Sequence, residues 1–170
     1  MIRSGGDEAA TPKYALIERE RRWLVDPGRR PPLGDLPAVL IEDLYIEGTR
    51  LRLRRMTDST GLSTRKLTKK YEAAAPTARA IVTAYLTEDE YAVFARLPGR
   101  RIVKRRYPAE WEGKRFSLDI FEGALAPLEL LEIEWFDALG LAALAAPPWT
   151  VREISHDLAF EGGSLAFRER

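Results

Sequence analysis

The sequence predicts a mainly β protein, an α+β chain in which antiparallel strands carry the fold and helices flank them. Three observations predict it. Eight runs are β-type, most of them alternating charged and apolar residues with period two. Turn signals such as Gly48-Thr49 and the stretch from Asp58 to Gly61 separate several of them. Helical signals are few and lie between strands.

The elements follow in order. Residues 14–25 alternate strictly, and the Pro- and Gly-rich residues 26–37 read as a loop. Strands are expected over 39–47, 51–56, 62–71 and 79–86, with a polar loop containing Pro76 between the last two. Thr87 then stands as an N-cap with Glu90 completing a capping box, which predicts a helix to about Leu97, stopped by Pro98-Gly99. Strands follow over 101–107, 114–121 and 128–135, and Asp137 caps an Ala/Leu helix ending before Pro147-Pro148. Residues 150–170 give no single pattern. We expect residues 1–13 to be a flexible N-terminal segment and residues 14–170 to form one domain, since 170 residues fit a single core.

Composition narrows the chemistry. With no cysteine, disulfides, thiolate metal sites and cysteine nucleophiles are excluded. One histidine, His156, excludes multi-histidine zinc sites, and in its polar tail it reads as structural or solvated. Lys and Arg number 27 against 26 Asp and Glu, so no global basic field draws the chain to nucleic acid or to a membrane. No apolar run reaches membrane-spanning length, and residues 1–13 lack the apolar core of a signal peptide. A soluble, cytoplasmic protein is expected.

The near-neutral total hides segregation. Along the strands Glu18, Glu20 and Arg22 share a face, as do Arg50, Arg52 and Arg54, Lys66, Thr68 and Lys70, Lys104 and Arg106, Arg115, Ser117 and Asp119, and Glu132 and Glu134. Trp23 and Trp135 fall on the apolar parity and read as packing. Two architectures fit. The charged faces are wet and the apolar faces form a sandwich core, the commoner arrangement, or the sheet closes with the charges inside. Arginine outnumbers lysine 21 to 6, and its planar fork suits phosphate. The i, i+2 pairs Glu18/Glu20 and Glu132/Glu134 suit a hard divalent cation with oxygen ligands. On parity alone Glu132 stands among acids, so Glu132→Gln is expected to relieve crowding and leave the fold nearly intact.

The run Ile17-Glu18-Arg19-Glu20-Arg21-Arg22-Trp23-Leu24-Val25 resembles the E-x-E-x-K signature of the CYTH, or triphosphate tunnel metalloenzyme, superfamily. Arg52-Leu53-Arg54, residues 66–70, Lys104-Arg105-Arg106, residues 118–123 and residues 131–135 follow in the family's order, so the resemblance spans nearly the whole chain. It implies a closed antiparallel barrel of about eight strands forming a charged tunnel, and Mg²⁺- or Mn²⁺-dependent hydrolysis of a triphosphate within it. Carried over by position, Glu18, Glu20, Asp119, Glu132 and Glu134 would ligate metal or orient the attacking water. Arg22, Arg52, Arg54, Lys66, Lys70, Lys104, Arg106 and Arg115 would grip phosphates, with Glu18, Glu20, Lys66 and Lys70 as the catalytic set. Two departures stand out. Arg22 replaces the signature lysine, and the strand over 79–86 carries no glutamate after Arg79. The implied partner is a small molecule bearing a triphosphate, not nucleic acid or a membrane, with the chain a monomer or homodimer. Adenylate cyclase and a non-catalytic polyphosphate- or nucleotide-binding module are the alternative readings.

Overall fold

Strand β1 (Leu16–Val25) is the seam of a closed barrel. Its first half pairs with β5 (Ala78–Tyr85), Glu18 facing Arg79, while its other edge pairs with β8 (Glu129–Glu134), Glu20 facing Glu134 and Arg22 facing Glu132. Between them run β2 (Val39–Ile46), β3 (Leu51–Thr57), β4 (Ser63–Lys70), β6 (Gly99–Trp111) and β7 (Lys114–Phe121). The order around the barrel is β1-β5-β4-β3-β2-β6-β7-β8, antiparallel throughout, and the β5–β1 pairing closes it. Where β5 leaves the second half of β1, a short β9 (Thr150–Glu153) takes its place, Trp23 facing Glu153. The computed structural model describes residues 11–72, 75 and 77–168. The flexible segment expected over 1–13 therefore falls largely outside the described residues, as does Pro76.

Closure decides between the two architectures: the charged faces turn inward, and the apolar packing lies outside the barrel. Trp23, Val25, Phe116, Leu118, Leu131 and Ile133 present one outer apolar face. Helix α2 (Ala138–Ala143), capped by Asp137 through the Gly140 N–H at 2.7 Å, covers it with Leu141, and Trp149 completes the cluster. On the other side Leu44, Ile46 and Leu53 pack under Tyr91 and Phe94 of α1 (Glu88–Phe94). The expected capping box is present: Thr87 Oγ1 accepts from Glu90 N–H, and the Thr87 N–H donates to Glu90 Oε2 at 2.7 Å.

Three boundaries differ from expectation. Helix α1 ends at Phe94 rather than near Leu97, because Pro98 disfavours the helical conformation in the residue before it. Strand β6 continues through Pro108 to Trp111. Its pairing with β2 stops at Val39–Arg106, so the missing Pro108 N–H costs no ladder bond on that edge. The tail, unassigned from sequence, forms β9, a 3₁₀ turn (Leu158–Phe160) and α3 (Gly162–Phe167). Among the described residues no helix is long and apolar enough to cross a membrane.

Candidate functional site

Strand parity places the charged residues of six strands around one cavity of about 280 Å³. Glu18, Glu20 and Arg22 come from β1, Asp43 from β2, Arg52 and Arg54 from β3, Lys70 from β4, Lys104 and Arg106 from β6, and Glu132 and Glu134 from β8. Arg50 at the β3 rim, Arg79 of β5 and Glu161 of the tail also line it. Eight cations thus face six carboxylates, a net excess of two positive charges. Arg52 and Glu132, far apart in sequence, share this lumen, as a tunnel requires and a sandwich forbids.

At one end the inward faces turn apolar. Ile102, Phe121 and Leu130 are buried there beneath Leu165 of α3, with Phe160 packed alongside. The tail sits tightly: a Cβ on Gly162 would lie 1.8 Å from the Tyr45 hydroxyl, so any larger residue there would have to displace the Tyr45 ring.

Three carboxylates converge. Glu18, Glu20 and Glu134 each offer an oxygen, all within 4.8 Å of one another. The β1–β8 register sets Glu20 opposite Glu134, and the two-residue period brings Glu18 onto the same face. Lys70 reaches Glu18 at 2.5 Å. Burial pushes the Glu20 carboxyl above the usual carboxylate range, and Glu132 and Glu18 push it further, against the pull of Lys70. Glu134 is raised as well, by burial and then by Glu18 and Glu132. Three convergent hard oxygen donors, with Glu20 and Glu134 raised, fit a divalent cation, which would offset their crowding.

Glu132 and Asp119 behave differently. Burial alone would raise the Glu132 carboxyl, yet Lys104, Arg106, Arg22 and Lys70 hold it well below the ordinary range. Arg106 binds it at 2.5 Å and grips Asp119 with Nε and Nη2, both at 2.7 Å. Asp119 is fully buried, also accepts from Lys104, and does not line the cavity. It was expected from sequence to ligate metal, and in this structure its oxygens are engaged by two cations. Two residues expected to contact phosphate stand away from this cavity. Lys66 lies outside the cavity with its ammonium over the Tyr85 ring, 5.1 Å from the centroid. Arg115 is exposed near the far end of the β6–β7 hairpin, paired in register with Glu110, also outside the cavity.

The cations differ in availability. Arg54 is tied to Asp43 by two bonds of 2.6 and 2.7 Å. Arg22 and Arg52, by contrast, each bury an Nε with no hydrogen-bond partner among the described residues, although Glu20 and Asp43 stand within ion-pair distance of them at 3.6 and 3.9 Å. Such donors cost about 1–3 kcal/mol each when left unmet, and a phosphate oxygen would satisfy them. Trp23, 1% exposed, packs on the outer face as parity required, and His156 is exposed.

Sequence reasoning missed Asp43, Arg79 and Glu161. Asp43 has the parity of Ile41 and Tyr45, so apolar neighbours concealed an inward charge. Arg79 opens a strand whose later residues are uncharged. Glu161 reaches the cavity only because the tail folds back, which no local pattern reports.

No family model matches the chain. A curated inorganic triphosphatase of Nitrosomonas europaea is 30% identical over 156 residues, covering 89% of this chain and 97% of that protein. A crystal structure of an inorganic triphosphatase is similar at a TM-score of 0.58, with 27% identity over 88% of this chain and 93% of that one.

Proposed function

The chain belongs to the CYTH, or triphosphate tunnel metalloenzyme, superfamily, and from that premise we propose that it hydrolyses a triphosphate, most simply inorganic tripolyphosphate, with Mg²⁺ or Mn²⁺. One observation carries the reading: the convergence of Glu18, Glu20 and Glu134 beside a small cavity whose other walls are mainly arginine and lysine. A volume of about 280 Å³ lies at the lower end of ligand pockets, which run ~300–1,000 Å³, and suits a compact polyanion.

In this reading Glu18, Glu20 and Glu134 hold the divalent cation. Bound there, it would supply Lewis-acid polarisation of phosphoryl oxygens and shield them from the carboxylates. Arg22 and Arg52 contribute their unpartnered Nε donors to phosphate oxygens, and Lys70 stands between Glu18 and the ligand. Arg54, Lys104 and Arg106 act mainly as fixed positive charge, since Asp43, Asp119 and Glu132 already engage them. Developing charge on the phosphoryl group and leaving oxygen thus meets preorganised cations, the main requirement of phosphoryl transfer. Glu18 and Glu20, at the cluster, are also placed to orient the attacking water. No nucleophilic side chain is needed. The partner is a small triphosphate rather than nucleic acid, in a cytoplasmic setting, with the chain a monomer or homodimer.

The test is a screen of phosphate and cyclic-nucleotide release from tripolyphosphate, ATP and thiamine triphosphate, with Mg²⁺, Mn²⁺ or EDTA. Metal-dependent phosphate release supports the hydrolase. Cyclic nucleotide as the product makes the chain a cyclase, and binding without turnover makes it a carrier of phosphate chains.

A further inference from the structure

Two consecutive tail residues occupy two cavity arginines. The Phe160 carbonyl accepts from Arg22 Nη1 at 2.9 Å. The Glu161 carboxylate accepts from Arg79 Nη2 at 2.5 Å and Nη1 at 3.4 Å, the fork geometry that a phosphate would present. Glu161 stands at the N-cap of α3 yet makes no capping bond with its side chain, so local helix chemistry does not account for where it points. Arg79 lies opposite Glu18 in the β5–β1 register, beside the three converging carboxylates, and both Arg79 and Glu161 line the cavity. Both also keep solvent access, at 21% and 29% side-chain exposure, so the pair can exchange partners without moving a buried charge.

We propose that Arg79 is a further phosphate-binding residue, and that Glu161 is an internal competitor that holds its guanidinium until a polyphosphate displaces the carboxylate. The inference rests on the triphosphate reading of the cavity and adds a residue and a regulation to it. Phosphate oxygens carry more charge than a carboxylate and reach the guanidinium in the same bidentate manner. Ligand occupancy and the seating of residues 160–161 therefore exclude one another at Arg79. The apparent affinity for ligand is the intrinsic one multiplied by the fraction of molecules in which Glu161 has released. If about one molecule in five is released, freeing Arg79 tightens binding about five-fold.

The experiment measures tripolyphosphate binding to the full chain by calorimetry in EDTA, where turnover cannot intrude, for wild type, Glu161→Gln, Arg79→Gln and the double variant. Circular dichroism confirms that each is folded. Glu161→Gln is expected to lower the apparent Kd about five-fold and Arg79→Gln to raise it about ten-fold or more. In the Arg79→Gln background the Glu161 effect should vanish, because the competitor has nothing left to hold. Hydrogen exchange at residues 158–167 should accelerate when tripolyphosphate is added to wild type. Glu161→Gln that tightens binding equally with and without Arg79 overturns the proposal, leaving a general electrostatic effect. Wild-type binding that Glu161→Gln does not change overturns the competitor alone. A wild type that binds no tripolyphosphate in EDTA yet releases phosphate from it with Mg²⁺ or Mn²⁺ overturns this inference alone, and one that does neither overturns the hydrolase reading and this inference with it.

Discussion

Asp43 and Arg54 form a two-pronged ion pair across the β2–β3 register, with bonds of 2.6 and 2.7 Å, and both are almost wholly buried in the barrel wall. Burial opposes the Asp43 charge, but Arg54, Arg52 and Lys104 outweigh it and hold the carboxyl down at about 2. Removing one partner leaves the other charge buried alone, so Asp43→Ala should cost about 3–5 kcal/mol. In a domain of this size that lowers the melting temperature on the order of 10 °C. The pH signature follows from a depressed carboxyl. Its stabilisation is fully present above the unfolded value near 4 and fades as pH falls towards 2. Acid titration of stability in wild type and Asp43→Ala should therefore converge over that interval; curves that stay parallel to pH 2 would remove Asp43 from the acid limb.

Glu20 and Glu132 should respond in opposite ways to the same chemical change. Glu20 is raised by burial and neighbouring acids, so its ionised form weakens the metal-free fold; that penalty disappears as pH falls through its raised value. Glu20→Gln should stabilise the metal-free protein at neutral pH while reducing metal-dependent turnover about 100-fold or more. Glu132 was expected from sequence to stand among acids, but it sits among Arg106, Arg22, Lys104 and Lys70. Glu132→Gln should instead destabilise the fold by about 1–3 kcal/mol. Melting curves in EDTA decide both signs.

The two-charge excess of cations around the cavity makes the empty barrel self-repelling, and a polyanion relieves it. Binding only to the folded state stabilises it by ~2.7 kcal/mol at a hundredfold excess over Kd. Tripolyphosphate with Mg²⁺ should raise the melting temperature on the order of 5–10 °C. Orthophosphate at equal ionic strength should do much less, and oligonucleotides little. A shift with oligonucleotides but none with tripolyphosphate would move the binding surface off the lumen.

Arg52 and Arg115 test the assignment of cations by location. Arg52→Ala should raise KM for tripolyphosphate at least ten-fold, because a cation lining the cavity is lost. Arg115→Ala, at an exposed site outside the cavity, should leave KM within two-fold. Equal effects from the two would mean that the ligand extends beyond the lumen.

Strand periodicity made most of the barrel legible, because a two-residue alternation of charge and apolar surface is what a polar lumen with an apolar exterior demands. The inward sets Glu18/Glu20/Arg22, Arg52/Arg54, Lys104/Arg106 and Glu132/Glu134 fell out of parity alone. Parity gives a face but not a height along the barrel. Lys66 and Arg115 have the inward parity of their strands, yet stand beyond the cavity. Nor does it report pairing: Asp119 is inward and acidic, and Lys104 and Arg106 both bind its oxygens. Closure itself, and the tail that returns over one end, depend on contacts between residues distant in sequence, such as Glu18 with Arg79 and Glu20 with Glu134, where a local pattern carries no signal.

The seam strand β1 also sets when the protein can work at all. Its partners β5, β8 and β9 come progressively later in the chain, and Glu134 follows Glu20 by 114 positions. At ~5–20 residues per second, a nascent chain holds Glu18 and Glu20 for on the order of ten seconds before their third carboxylate is made. Throughout that wait the edge of the first strand that β8 will cover stays open, and its alternating charges discourage other chains from adding to it. Folding then has to close its longest loop last, the slow, high-contact-order step. A product of interrupted synthesis ending before β8 has no weakened version of the carboxylate cluster; it lacks the cluster altogether.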